Sequence, residues 1–443
     1  MGSLSPGEKR RELFERWLSP QEEFADEKAE EAYKARVTRI KDAIQLEKPP
    51  DRVPVFPNVG FFPAYYVGLT PYDMMYDYEK LTMAFKKYVL DFEPDAHAGV
   101  ILPGPGKFFD ILVYKLYAWP GHGVAPQHSY QCIEGEYMKA DEYDALIEDP
   151  TYFFLTTYFP RIFGALEPFK KLSRFTKVLE MYGGFTPASF TSFGTPDVQA
   201  ALKALMEAGS EASKWMGYVE SWEDEVTAAG FPHFFGGGTK APFDTIGDTL
   251  RGTKGIMLDM YKRPDKLRQA MEVFTPLMIK MGASAAKANG NPIVFMPLHK
   301  GADGFISNKQ FEVFYWPTLK RVIMGLIEEG CVPFLYAEGS YNSRLELVKN
   351  DLPKGKTIWG FDQTDMAKAK EIIGDVACIC GNVPSSLLSV GTPKEVKDYV
   401  KKLIEACGEG GGFIVMNGAV IEEAKPENVK AMVQATKEYG VYK

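Results

Sequence analysis

Five side chains stand where apolar runs break into polar, glycine-marked loops: His299 after VFMPL, Asp303 in LHKGADGF, Glu338 after VPFLYA, Asp362 after IWGF, and Asp365 three residues further on. An imidazole and carboxylates brought to neighbouring positions can bind a divalent metal or serve as general acid and base. Glu338 follows a wholly apolar run and precedes a glycine, so its charge emerges where burial without a partner is costly. His299 is the one histidine placed at such a strand end; the alternative for it is a bond to a loop carbonyl. Asp362 can face the same interior, whereas Asp365 reads as the N-cap of the helix MAKAKEIIG. Asn382, after CICG, is either a polar anchor or a turn former. Tyr336 and Asn417 complete the set as candidate substrate contacts.

A second group is aromatic. The segment PNVGFFPAYYVG carries Phe61, Phe62, Tyr65 and Tyr66, which suit a flat or apolar ligand better than a sugar phosphate, or else seal a loop. His97, His122, His128 and His233 lack the spacing of a metal motif and read as structural. The GGG at 236–238 and the GPG at 104–106 fit no nucleotide-binding pattern. Cys132, Cys331, Cys378, Cys380 and Cys407 are odd in number and without zinc-knuckle spacing, which suits a reducing compartment. Cys378 and Cys380 are two apart in an apparent strand, so they face the same way, as small apolar wall residues.

The elements that must position these groups alternate β-rich runs with longer helical stretches, the pattern of a parallel sheet with crossover helices. Candidate strands cover 53–57, 99–103, 234–238, 292–298, 332–337, 356–361, 376–380 and 412–416. Such units fit an α/β fold of the (β/α)8 TIM-barrel kind, whose working groups come from the C-terminal strand ends. Residues 1–50 are charged and helix-favouring and stop at Pro49-Pro50, an expected solvated collar, leaving 51–443 for the barrel. The interval 104–233 is too long for one crossover and reads as an inserted cap over the barrel mouth, or a structural lobe.

The 443 residues, 45% hydrophobic and 13% aromatic, suffice for one large core. A net charge of −8 offers no basic field for a nucleic acid. No apolar run reaches membrane-spanning length and the start lacks a secretory core, so a cytoplasmic protein is expected.

The last third resembles the uroporphyrinogen decarboxylase superfamily, which contains the decarboxylase of haem synthesis and cobalamin-dependent methyltransferases. The likeness is carried by ISNKQFEVFYWPTLKRVI, VPFLYAEG, GFDQTDMAKAKEIIGD, CICGNVPSSLLSVGTPKEV and GGFIVMNGAVIEEAKPENV, with RVPVFP and APFDTIGDTLRG as weaker matches. The decarboxylase branch has an arginine-rich motif after its first strand; PNVGFFPAY has none. Its last-motif histidine is matched here by Ala419, and its Phe-Ser-Asp-Ile segment by ILPGPG. The thiol-activating methyltransferases hold zinc with His-x-Cys and a later Cys, which this chain replaces with Tyr336, Glu338 and Ala419.

The resemblance thus implies a harder site in which His299, Glu338 and Asp362 act as catalytic groups or as ligands to zinc, polarising an oxygen leaving group rather than a thiolate. The expected activity is methyl transfer from an ether-like substrate to a corrinoid. That cobalamin must arrive on a separate carrier protein, since no Asp-x-His-x-x-Gly motif is present. One alternative is a decarboxylase or lyase acting on a tetrapyrrole or another carboxylated ligand, with Lys300, Arg344 and Arg251 as cationic anchors. A non-catalytic cobamide- or tetrapyrrole-binding protein is another, and a homo-oligomer is left open.

Overall fold

The computed structural model describes residues 4–100, 104–177, 180–182, 184–185 and 187–442. Six parallel strands form its central sheet: β1 (Gly237–Gly238), β2 (Ile293–Leu298), β3 (Val332–Ala337), β4 (Ile358–Phe361), β5 (Cys378–Val383) and β6 (Phe413–Asn417). They lie in sequence order, in register through pairs such as Phe295↔Phe334, Tyr336↔Gly360 and Ile379↔Phe413. Two further segments continue the ring through isolated contacts. Val55 bridges Val415 in parallel, and the Asp95 amide donates to Val55 O at 3.0 Å. His97 bridges His233, from where the Gly236 amide reaches Ile293 O at 2.8 Å. This is an α/β fold of the TIM-barrel class, as the alternation of elements predicts. The second expected strand differs: pairing is made by Asp95 and His97, and positions 101–103 lie outside the described residues.

Near-continuous burial marks these strands, as in parallel sheets covered on both faces. Residue parity then sorts the side chains. Ile293, Phe334, Tyr336, Ile358, Cys378, Cys380, Ile414 and Met416 share one apolar cluster with Phe56 and Phe234, the barrel interior. Val294, Met296, Leu335, Trp359, Ile379 and Val415 join the outer core beneath the helices. Extending the inward parity past each strand brings His299, Glu338, Asp362 and Asn382 to the same rim.

The collar is not simply solvated. Helices α1 (Pro6–Leu18) and α2 (Glu27–Gln45) bury Phe14, Trp17, Tyr33, Val37, Ile40 and Ile44 in the interior cluster. Because Ile293, Val332, Ile358 and Cys378 come from the strands' N-terminal ends, the two helices stop the foot of the barrel. Tyr33, Val37, Ile40 and Ile44 recur at helical spacing, a stripe that the surrounding charges hide in the composition.

Helix α3 (Tyr78–Phe92) packs outside the ring. Residues 104–233 end in the 33-residue helix α4 (Pro196–Ala228). Its first turns share a satellite cluster with Leu112, Leu166 and Phe169, while Trp222 and Val226 reach the main core. Before α4, the stretch around 127–138 touches the C-terminal end of the barrel. Tyr65 Oη donates to Gln127 O at 2.7 Å, and the Met138 amide to Leu250 O at 2.7 Å; Glu134 accepts from the Thr253 amide. Among the described residues, no helix is long and apolar enough to cross a membrane.

Candidate functional site

After β1 the chain turns through a short helix, Pro242–Asp244, into a π-helical stretch, Thr245–Arg251. Asp244 and Asp248, four apart, both turn to the end of β2. Asp248 Oδ2 meets His299 Nδ1 at 2.6 Å and Lys240 Nζ at 2.8 Å, while its Oδ1 meets Lys300 Nζ at 3.0 Å. Asp244 takes the backbone instead: its Oδ2 accepts from the His299 amide at 3.1 Å and from Tyr315 Oη at 2.6 Å, and its Oδ1 from the Lys300 amide at 2.9 Å. On the other side of the ring, His299 Nε2 faces Glu338 Oε1 at 3.4 Å.

Burial works against a charged imidazole, yet the bonds to Asp248 and Glu338 and the charges of both outweigh it and push the His299 pKa up to about 10. Burial would likewise raise Asp248, but His299, Lys240 and Lys300 hold it well below the usual carboxylate range. Asp244, wholly buried, is pushed up to about 6 by desolvation and then by the charge of Asp248. Around neutrality the ring is therefore a cation, bonded through Nδ1 to Asp248 and facing Glu338 with Nε2. Its side chain is 35% exposed and that of Glu338 45%, so the proton on Nε2 stands at the rim, within reach of solvent.

Asp362 stands beside this pair. Burial raises its pKa, the Glu338 charge adding to the effect, while the Gly339 amide donates to its Oδ2 at 3.2 Å. The expected metal set of His299, Glu338 and Asp362 is not brought together as a ligand group in this structure. Both ring nitrogens of His299 are turned to carboxylates, Nδ1 to Asp248 and Nε2 to Glu338. Among the described residues, no three His, Cys, Asp or Glu side chains are grouped to hold a metal ion.

Several expected substrate contacts are engaged within the protein. Phe61 and Phe62 are fully buried, and Phe62 packs edge-on against Tyr88 and Phe92 of α3, behind the wall. Tyr336 lies inside the barrel with its hydroxyl given to Gly418 O. Asn382 donates to Asp362 O at 3.0 Å and Thr364 O at 2.9 Å, fixing that turn. Asn417 has the outward parity and clamps Asn58, accepting from its amide at 2.8 Å and donating to its carbonyl at 2.9 Å. Asp303 is held by Ser340 and Ser343, and Asp365 caps its helix by accepting from the Lys368 amide. His97 and His233 stack on each other at 5.1 Å.

Tyr65 is half-buried beside the 127–138 stretch. There Tyr130, its pKa raised to about 12 by burial and by the charges of Glu422 and Glu338, sits between two sides of the mouth. Glu422 accepts from the Phe61 amide at 2.8 Å. It approaches so closely that a Cβ on Gly60 would lie 2.7 Å from its Oε1. Asp244, Asp248, Lys240, Tyr130 and Glu422 are the residues that reading by strand ends misses. The D-x-x-x-D spacing in APFDTIGDTL, two acids on one helical face just past a strand, is the signal that could have found the first two.

The chemistry available here is that of a fixed imidazolium with an adjoining carboxylate: proton donation to an atom at the mouth, with Glu338 to steady charge or take the proton back. Among the described residues near the mouth, cations for binding several carboxylates are scarce. Arg251 is engaged by Asp259 at 2.6 Å and Arg344 by the Gly301 and Ile306 carbonyls, both arginines being buried. Lys240 and Lys300 both face Asp248.

The family described as Uroporphyrinogen decarboxylase (URO-D) matches residues 230–439. The uroporphyrinogen decarboxylase of Aromatoleum aromaticum is 22% identical over 253 residues, covering 55% of this chain and 66% of that protein. The methylcobamide:CoM methyltransferase MtaA of Methanosarcina barkeri is 26% identical over 204 residues, 46% of this chain and 58% of its own length. The chain thus spans about three fifths of these curated relatives. A solved structure, a methyltransferase from Methanosarcina mazei, superposes with a TM-score of 0.58 at 18% identity, over 91% of this chain and 98% of that one, a likeness of fold. With the strand-end motifs and these sequence matches together, residues 230–439 form a divergent unit of the uroporphyrinogen decarboxylase superfamily.

Proposed function

We propose that the protein is a methyltransferase that removes a methyl group from an oxygen-bearing, ether-like substrate and passes it to a corrinoid on a separate carrier protein. The observation behind this reading is His299, held as a cation by Asp248 at 2.6 Å with its second N–H at the open rim. An ether oxygen is a poor leaving group until it is protonated. As the methyl carbon–oxygen bond breaks, both electrons remain on oxygen, which takes the proton from His299 Nε2 and leaves as an alcohol or phenol. The reduced corrinoid supplies the nucleophile that receives the methyl group. Glu338, 3.4 Å from Nε2, steadies the imidazolium beforehand and relays a proton back afterwards. Tyr65 and Tyr130 offer ring faces to an aromatic substrate, and the stretch around 127–138 acts as the lid that excludes water.

The scarcity of free guanidinium groups favours this reading over a tetrapyrrole decarboxylase, whose substrate carries many carboxylates. The test is anaerobic incubation of the protein with aryl methyl ethers and free cob(I)alamin, followed by the visible spectrum. Methylated cobalamin with release of the phenol is expected, and loss of both in His299→Gln. Absence of methyl transfer across a panel of ethers, alongside carbon dioxide release from uroporphyrinogen, would overturn the proposal.

A further inference from the structure

We propose that Glu422 selects the substrate, its carboxylate holding a protonated amine that the methyl ether carries at the end away from its oxygen. This deepens the reading of the mouth as an ether site and rests on it for the place of the oxygen. Glu422 is set rigidly. Val59 bridges Ile421 in parallel, the Ile421 amide donates to Asn58 O and the Gly60 amide to Ile421 O, both at 2.9 Å, so the loop after β6 is stitched to the segment beyond Val55. Oε2 of Glu422 accepts from the Phe61 amide at 2.8 Å. The carboxylate lies against Gly60, whose missing side chain leaves the room: a Cβ there would come 2.7 Å from Oε1.

What this carboxylate lacks is a cation. The side chain is half-buried, and Oε1 has no donor among the described residues while it keeps contact with solvent. No lysine, arginine or histidine among them offsets its charge; burial raises its pKa and the charge of Glu423 adds to the effect, a cost that a ligand cation removes. Aromatic surface stands near it. Tyr65 and Tyr130 both feel its charge, and Tyr130 that of Glu338 as well, which places Tyr130 within reach of both acids. A fixed carboxylate with ring faces close by is the combination that holds an organic ammonium, through charge and through attraction to the rings. One molecule then meets both sides of the mouth, its ether oxygen at His299 and its ammonium at Glu422. A carboxylate in place of that ammonium meets repulsion from Glu422 and Glu423.

The test is isothermal titration calorimetry of the full-length protein, without corrinoid, against para-methoxyphenyl compounds whose short alkyl chains end in an amine, a methyl group or a carboxylate. The amines are expected to bind at least about tenfold more tightly than the methyl compounds, the order of one partly desolvated charge pair, and the carboxylates most weakly. Glu422→Gln, which keeps an oxygen for the Phe61 amide, is expected to abolish the preference, and Glu423→Gln, at an exposed side chain, to retain it. If Glu422→Gln does not fold, Gly60→Ala decides: its Cβ displaces the carboxylate without removing the charge, and the preference is expected to fall at least about threefold. Absence of amine binding, equal affinity for amines and methyl compounds, an unchanged preference in either Glu422→Gln or Gly60→Ala, or equal loss in Glu423→Gln overturns the proposal. An amine preference in a protein that transfers no methyl group removes the proposed function and leaves Glu422 as an amine anchor. Methyl transfer from ethers without that preference removes Glu422 alone.

Discussion

The Asp248 carboxylate meets His299 Nδ1 at 2.6 Å, and that contact makes the imidazole a standing cation rather than a group that switches near neutrality. An ordinary histidine is half neutral at about pH 6.5; here the ring keeps its proton up to about pH 10. A proton donor of that kind suits a leaving group that must be protonated and does not depart unaided.

Stability should record the same contact. A pKa raised above the unfolded value gives a contribution that is fully present below about pH 6.5 and is lost as pH rises through about 10. Denaturant titrations of wild type and Asp248→Asn at pH 6, 8 and 10 are expected to show the wild-type advantage shrinking across that window. An advantage that stayed constant or grew would contradict the ion pair.

Glu338→Gln is expected to lower methyl transfer by 100-fold or more, on the order of what a positioned acid–base group contributes. Its side chain is half in solvent, so the melting temperature should move little. Full turnover in this variant would remove Glu338 from the chemistry.

Asn417→Ala is expected to destabilise the protein by about 2–3 kcal/mol, since it leaves the buried Asn58 amide and carbonyl without partners. Affinity for ligands should follow stability with no separate loss. Equilibrium unfolding in urea, read beside a binding isotherm, separates a clamp from a substrate contact.

Part of the site is legible in the sequence. Strand ends announce themselves as apolar runs meeting glycine and charge, so His299, Glu338 and Asp362 are expected on one rim from their places after those runs. The helical acids were hidden because β1 is only Gly237–Gly238 and the turn after it is π-helical, a geometry with no simple residue signature. Phe61 and Phe62 misled because composition does not say which side of a wall a ring takes. The second strand slipped in register because its inward residues, Ala96 and Ala98, carry little hydrophobic signal. Tyr130 comes from a stretch more than 200 residues away in sequence from Glu338, and no local pattern links them.

Ile40→Ala in α2 is expected to cost about 2–4 kcal/mol, the range for a large-to-small change at a fully buried site. Thiol titration gives a sharper view of the same packing. Of the five cysteines only Cys132 is exposed, while Cys378 and Cys380 lie in the interior cluster that α1 and α2 cover. One fast-reacting thiol per native chain is expected, with Cys378 and Cys380 becoming reactive in the Ile40→Ala variant before global unfolding. Equal protection in both proteins would show that α2 is not the stopper.

With its foot stopped by Phe14, Trp17, Tyr33 and Ile40, the barrel is a cup and not a pipe. Under the proposed methyl transfer, the ether and the corrinoid would therefore share the mouth beside Tyr65 and Tyr130, since the foot offers no second approach. The smaller ether would then have to arrive before the carrier, and its alcohol or phenol to wait until the carrier withdraws.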